Sequence, residues 1–156
     1  MGTYTFKSSG VTAQTKPSNN ITTTPPQIGI LTPLSLGQTD LLTTSTDLPT
    51  QMADNLRNLI QTNWGERLGL YQYGANLKPI LVNMVSEEDF DTQAISAIKN
   101  ATQRWMPYVD LVDFMSQIDQ TGKVTKGIAQ VTITITYNIP NLNVKGKQIK
   151  VTLFAL

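Results

Sequence analysis

Val131-Thr132-Ile133-Thr134-Ile135-Thr136-Tyr137-Asn138-Ile139 decides the fold of this chain. Its odd-numbered positions are apolar and its even-numbered positions carry hydroxyls or an amide. A period of two becomes one apolar and one polar face only when the backbone is an extended strand. Its β-branched side chains favour the same conformation. Pro140 ends the run, because proline has no N–H to give to a ladder. A strand with one apolar face needs other elements to cover it, and the flanking sequence supplies them.

Downstream, after a turn region from Asn141 to Gly146, the segment Ile149-Lys150-Val151-Thr152-Leu153 alternates again. Upstream, Val109 and Leu111 with Phe114 form a first strand, and Thr121-Gly122 marks the turn that follows it. Before Pro107 the period lengthens to that of a helix. Phe90, Ala94, Ile98, Ala101 and Trp105 form one stripe, opened by the capping box Ser86-Glu87-Glu88-Asp89 and stopped at Pro107. Leu77, Ile80, Leu81 and Met84 predict a shorter helix, with Pro79 in its first turn. Asp47 caps the earliest helix, about Leu48 to Asn63, where Met52, Leu56, Leu59 and Ile60 recur at helical spacing and Gly65 lies just past the end. Helices first and antiparallel strands after predict an α+β domain over residues 47–156, with two to three helices packed on one face of a small antiparallel sheet.

Residues 1–46 read as an extended N-terminal arm. Thr, Ser, Asn, Gln, Gly and Pro dominate, and only Lys7, Lys16 and Asp40 are charged. Such a stretch buries too little apolar surface to offset its ordering entropy alone. Within it, prolines 25, 26 and 33 stiffen a segment that carries Ile28, Ile30, Leu31 and Leu34. Those four residues are the expected arm contact, lying against the core or a neighbouring subunit, while Met1 to Asn20 stay mobile until assembly.

Composition narrows the chemistry. The 156 residues include 12 Lys plus Arg and 11 Asp plus Glu, a formal charge of +1, which gives no electrostatic footprint for nucleic acid or an anionic membrane. Cysteine and histidine are both absent, which removes disulfides, thiolate nucleophiles, Cys/His metal sites and histidine acid–base devices. No metal and no cofactor is expected. No apolar run approaches the roughly 20 residues that span a bilayer, so the chain reads as soluble and cytoplasmic where it is made.

Four places carry candidate sites. Gly65-Glu66-Arg67 combines a helix-ending glycine with two side chains that can hydrogen-bond the irregular passage beyond it. The acids Glu87, Glu88, Asp89 and Asp91 are where hydrolysis of a glycan would be looked for, yet capping and the helix dipole already explain acids in a first turn. Trp105-Met106-Pro107-Tyr108 places large contact area at a helix-to-strand junction. Trp105 closes the core stripe, so the interface reading applies better to Met106 and Tyr108. Finally, Lys147, Ile149, Val151 and Leu153 lie on a strand expected at a sheet edge, where free backbone groups accept an added strand. Lys145, Lys147 and Lys150 either guard that edge or select an acidic partner strand.

These features, in this order, resemble the small baseplate wedge proteins of contractile-tailed phages, including T-even-like members, and the matching baseplate subunit of type VI secretion machines. The resemblance spans about Leu48 to Ile139. Gly65, Glu66 and Arg67 match the family's Gly-Glu-Arg after its first helix; Tyr73-Gly74 match its aromatic-Gly pair, and Tyr137 its aromatic strand position. Pro26-Gln27-Ile28-Gly29-Ile30 with Thr32-Pro33-Leu34 looks like the family's proximal arm. Trp105 and Pro107 agree with the family's Trp and Glu-Pro-Arg, while Met106 and Tyr108 stand where Glu and Arg do, which implies an apolar contact in place of an ionic one. The resemblance implies a structural subunit of the virion's tail baseplate, made in the host cytoplasm and present in six copies. It implies that other wedge proteins contact it and that the tail sheath subunit starts polymerising on its C-terminal edge by strand exchange. Some relatives carry a lysozyme label, so a peptidoglycan hydrolase and a stand-alone peptide-capturing adaptor are the alternatives.

Overall fold

The structure, a computed structural model, describes residues 25–37, 41–83, 86–119 and 129–155. Among these residues, five strands and three helices follow one another as β1 (Gly29–Ile30), β2 (Thr44–Ser45), α1 (Leu48–Gln61), α2 (Leu77–Val82), α3 (Glu87–Trp105), β3 (Asp110–Asp119), β4 (Ala129–Ile139) and β5 (Val144–Ala155). The last three form an antiparallel sheet in the order β3-β4-β5, and the first two pair separately. The architecture is the expected α+β layout. The Thr121-Gly122 turn, Met84 and the mobile behaviour expected of residues 1–20 lie outside the described residues.

Val131, Ile133, Ile135, Tyr137 and Ile139 of β4 all point inward and are buried. Register carries the same face across the neighbours, with Phe114 opposite Ile135 on β3 and Val151 opposite Ile133 on β5. Leu56, Leu59, Ile60, Phe90, Ala94 and Ile98 of α1 and α3 close onto this face in one core. The caps behave as their residues dictate. Asp47 accepts from the Thr50 N–H at 3.0 Å, and Ser86 from the Asp89 N–H at 3.2 Å. The reciprocal half of the predicted capping box is replaced: the Asp89 carboxylate accepts from Gln93 Nε2 at 3.0 Å, an aspartate being one methylene shorter than the glutamate that usually reaches back.

Two strands differ from expectation for local reasons. β3 carries a bulge between Leu111 and Asp113, which shifts the inward face to Phe114. β5 begins at Val144, because Asn143 takes a left-handed φ of 52° after the single 3-10 turn Pro140–Leu142 and closes the corner early.

The arm also departs from a lone extended segment. Its apolar stretch pairs with its own continuation through β1 and β2, and the Leu31 N–H donates to the Thr43 carbonyl at 3.0 Å. This hairpin lies on α1 by backbone contact. The Thr32 N–H donates to Asp54 Oδ2 at 3.0 Å, and Arg57 holds the other carboxylate oxygen at 2.7 Å. Gly29 permits the approach, since a Cβ there would fall 2.4 Å from Gln51 Oε1. Leu31 is half-buried, whereas Ile28, Ile30 and Leu34 keep exposed side chains, so three of the four expected arm contacts face outward. Asp54→Ala is expected to destabilise the chain by about 2 kcal/mol, the worth of a hydrogen bond to a charged group. Hydrogen exchange should then show the Thr32 amide losing its protection before the β4 amides do.

Candidate functional site

The irregular passage between α1 and α2 is held open by side chains that the sequence supplies locally. Beyond the end of α1, Glu66 accepts the Asn63 N–H at 2.7 Å and the Asn63 Nδ2 at 3.0 Å. Asn63 Oδ1 in turn accepts the Lys78 N–H at 3.0 Å, which ties this corner to α2. The Trp64 indole N–H donates to the Gly74 carbonyl at 3.2 Å. Gly74, at φ +110°, passes so close to α1 that a Cβ there would lie 2.1 Å from the Thr62 carbonyl oxygen. No other residue fits that position.

Arg67 leaves this corner and lays its guanidinium 4.3 Å from the centroid of the Tyr73 ring. The other side of the arrangement continues into α3. Tyr73 meets Trp105 edge-on with centroids 5.2 Å apart and an interplanar angle of 61°. Arg104 sits 5.1 Å from the Trp105 ring and donates to Gln72 Oε1 at 2.8 Å. Two regions that the sequence offers as separate candidates, Gly65-Glu66-Arg67 and the end of the third helix, are thus one cation–aromatic–aromatic–cation column. Each cation contact is worth about 0.5–1 kcal/mol and the ring pair about 0.5–1.5 kcal/mol, enough to fix the corner against the helix. A small polar hollow lined by Asn55, Asn58, Thr62, Glu66, Arg67 and Tyr73 lies beside it.

The same passage also carries exposed apolar side chains. Trp64, Leu70 and Tyr71 are exposed and Leu68 is fully so. Sequence reasoning did not weigh these as site residues; their signal is a run of large apolar residues with neither helical nor strand period. The junction after α3 corrects an expectation. Met106 is 4% exposed and packs in the core, because its backbone leaves the helix at φ −136° while its N–H still donates to the Thr102 carbonyl at 2.8 Å. Pro107 and Tyr108 do remain at the surface. Partial burial, then Tyr73, push the Tyr108 hydroxyl above its ordinary pKa of 10.0, which keeps it a neutral donor.

The C-terminal strand does lie at a sheet edge, as β3 does on the other side. Lys147 is exposed there and Leu153 is half-buried, but Ile149 and Val151 face the core and are buried. Contact along β5 is therefore left to backbone, lysines and Leu153. Two of the acids of α3, Asp89 and Asp91, take structural partners. Asp91 accepts from the Ser116 hydroxyl of β3 in a short hydrogen bond, and Glu87 and Glu88 stand exposed in the first turn. None of the four lines the groove of about 790 Å³ between α3 and β3. Among the described residues no acidic cluster is placed to hold a metal ion, and no helix is long and apolar enough to cross a membrane.

No protein-family model matches the chain, and no curated protein matches it in sequence. Solved structures do match its fold. A protein given provisionally as a tail lysozyme of Geobacter sulfurreducens superposes with a TM-score of 0.57 over 70% of this chain and 93% of its own, at 15% identity. The six-fold symmetrised baseplate of the anti-feeding prophage contains a chain that superposes with a TM-score of 0.52, over 84% of this chain and 85% of its own, at 14% identity. The chain has the fold of phage-tail and baseplate proteins.

Two expectations follow from the corner. Gly74→Ala should destabilise the chain by about 2 kcal/mol or more in urea unfolding, because its φ and the Thr62 carbonyl both exclude a side chain. Glu66 receives first the Asn63 backbone N–H and then its amide, which hold the carboxyl below its ordinary 4.5. Its contribution is complete above 4.5 and is lost as pH falls through the lowered folded value. Glu66→Gln is expected to flatten that acid limb of the stability curve while leaving its shape near neutral pH unchanged.

Proposed function

We propose that the chain is a structural subunit of a tail baseplate wedge, which docks on the wedge core and offers its sheet as the template for the first sheath subunits. The observation that carries this reading is the shared fold with the anti-feeding prophage baseplate, which extends over 84% of this chain. The corner around Arg67, Tyr73 and Trp105 supports it further. Rigidly braced and surrounded by exposed Trp64, Leu68, Leu70 and Tyr71, it has the makeup of an interface with a protein partner. Arg67, Tyr108 and the apolar loop are its wedge-contact residues, and Met106 acts behind them in the core. The β5 edge, with Lys147, Lys150 and Leu153 accessible and Ile149 and Val151 behind it, is the sheath-docking strand. Assembly in six copies and a place in the virion's tail belong to the same reading.

The neighbour given as a tail lysozyme favours a second reading, a hydrolase using Glu87 or Glu88 with Asp91. Glu87 and Glu88 stand in a capped first turn and Asp91 is bonded to Ser116, all three outside the groove lining, which supports the structural reading over it.

Removing residues 141–156 would strip the core of Ile149 and Val151, so charge reversal is the cleaner experiment. In a pull-down against the sheath subunit and wedge proteins encoded beside the gene, Lys147→Glu with Lys150→Glu should weaken sheath capture about tenfold. Leu68→Glu with Tyr71→Glu should do the same for wedge capture. Retention of both partners by both variants would sink the proposal, as would loss of peptidoglycan lysis by a folded Glu87→Gln variant.

A further inference from the structure

We propose that the β3 edge and the groove between β3 and α3 form a second strand-acceptor site. Its occupant is an extended segment of a partner protein that carries a branched or aromatic apolar side chain flanked by lysine or arginine. The site goes beyond the β5 docking proposed above and does not depend on the partner being a sheath subunit.

The helices cover the sheet unequally. α1 and α2 both pack on β5, whose inward Ile149 and Val151 are buried. β3 is contacted chiefly by α3, and its inward Leu111 and Phe114 are left half-exposed. The uncovered strip is the groove of about 790 Å³, floored by Ile98, Val109, Leu111, Phe114 and Ile135 and rimmed by Ile95. An open apolar slot that runs beside a strand accepts side chains at every second position of an added strand.

The backbone supplies the rest of the site. Among the described residues no strand pairs with the outer side of β3, so alternate N–H and C=O groups from Asp113 to Gln117 are turned away from β4. The bulge confines the acceptor to this stretch, because Val112 has no partner in β4 and interrupts the ladder before it.

A polar atom inside the groove also lacks a partner. Thr102 lines it, is 2% exposed, and its Oγ1 makes no hydrogen bond. Helical threonines commonly bond back to the carbonyl four residues earlier, and buried hydroxyls without partners are rare because each costs free energy. A polar group on an entering segment would satisfy it.

Charge selects the segment. Asp110 and Asp113 are exposed on the acceptor strand, and Lys99 across the groove is the one cation in its lining. The opposite edge is basic, with Lys145, Lys147 and Lys150 all exposed. A strand with outward lysine or arginine therefore meets carboxylates at β3 and repulsion at β5.

The test uses the full chain and a blocked peptide of alternating valine and threonine with a lysine at each end, followed by calorimetry and amide chemical shifts. The expected result is saturable binding, with shifts from Asp113 to Gln117 and at Thr102. Ile95→Lys, a change at an exposed rim position, should weaken it about tenfold or more while the amide spectrum stays folded. A version of the peptide ending in glutamates should bind more weakly at low salt. Absence of binding, shifts confined to β5, or shifts that appear on concentrating the chain alone, which would make a second copy the occupant, would each overturn the proposal. Failure of the sheath pull-down leaves this result untouched, so the two readings fail separately.

Discussion

Everything in this fold depends on β4 being paired on both sides while five of its side chains are buried on one face. A strand in that position has no freedom of register. A slip by one residue would bring Thr132, Thr134 and Thr136 into the core and turn Val131, Ile133 and Ile135 to solvent. Each inward aliphatic side chain is worth about 1.5–3 kcal/mol of burial, so the penalty is comparable to the whole stability of a typical domain. The neighbouring strands inherit their registers from this constraint, and the helices are placed by the need to cover one face of three strands.

Three helices do not cover that face evenly. α1 and α2 close the β5 side and α3 alone meets β3, while the threonine-rich outer face has no helix on it among the described residues. The corner between α1 and α2 is where two of those helices are brought to a fixed distance. It is built from short-range bonds of Asn63, Glu66 and Asn76 around Gly74, and then locked to α3 by Arg67, Tyr73, Trp105 and Arg104. No bond in the set is strong. Their sum holds a corner whose exposed apolar side chains would otherwise collapse onto the nearest apolar surface, which is how a stiff frame comes to display a hydrophobic loop.

What could be read from the sequence was local. The alternation of β4, the Asp47 and Ser86 caps and the stripe of α3 involve residues at most a few positions apart, and all are found where expected. The start of β3 was blurred because the bulge at Val112 breaks the period within one turn of the pleat. β5 was read short because an asparagine, rather than a glycine, takes the left-handed position before it. The arm hairpin was invisible because β1 and β2 have two residues each, and the bond that seats them joins Thr32 to Asp54 across 22 positions. Met106 was misread for the opposite reason. Pro107 and Tyr108, which follow it, are surface residues, and nothing local states that the chain turns inward as it leaves the helix.

The near-zero net charge hides a further asymmetry. Summed over the chain, 12 basic and 11 acidic residues nearly cancel, yet the two edges of the sheet, unpaired among the described residues, carry opposite signs, aspartates along β3 and lysines along β5. Both edges are liabilities, because any exposed strand can pair with another chain. Like-charged edges on neighbouring copies repel, which disfavours pairing of β3 with β3 or of β5 with β5. Opposite edges attract, and head-to-tail pairing between copies would have to be opposed by something other than charge. The bulge at Val112 and the positive φ of Gly146, which donates to Asn138 in place of a regular ladder bond, each distort the edge that carries them. A head-to-tail ladder would need both edges to be straight at once, whereas an incoming flexible segment has only to match one of them. Charge and backbone irregularity together therefore favour pairing with a flexible segment over edge-to-edge pairing between folded copies of the chain.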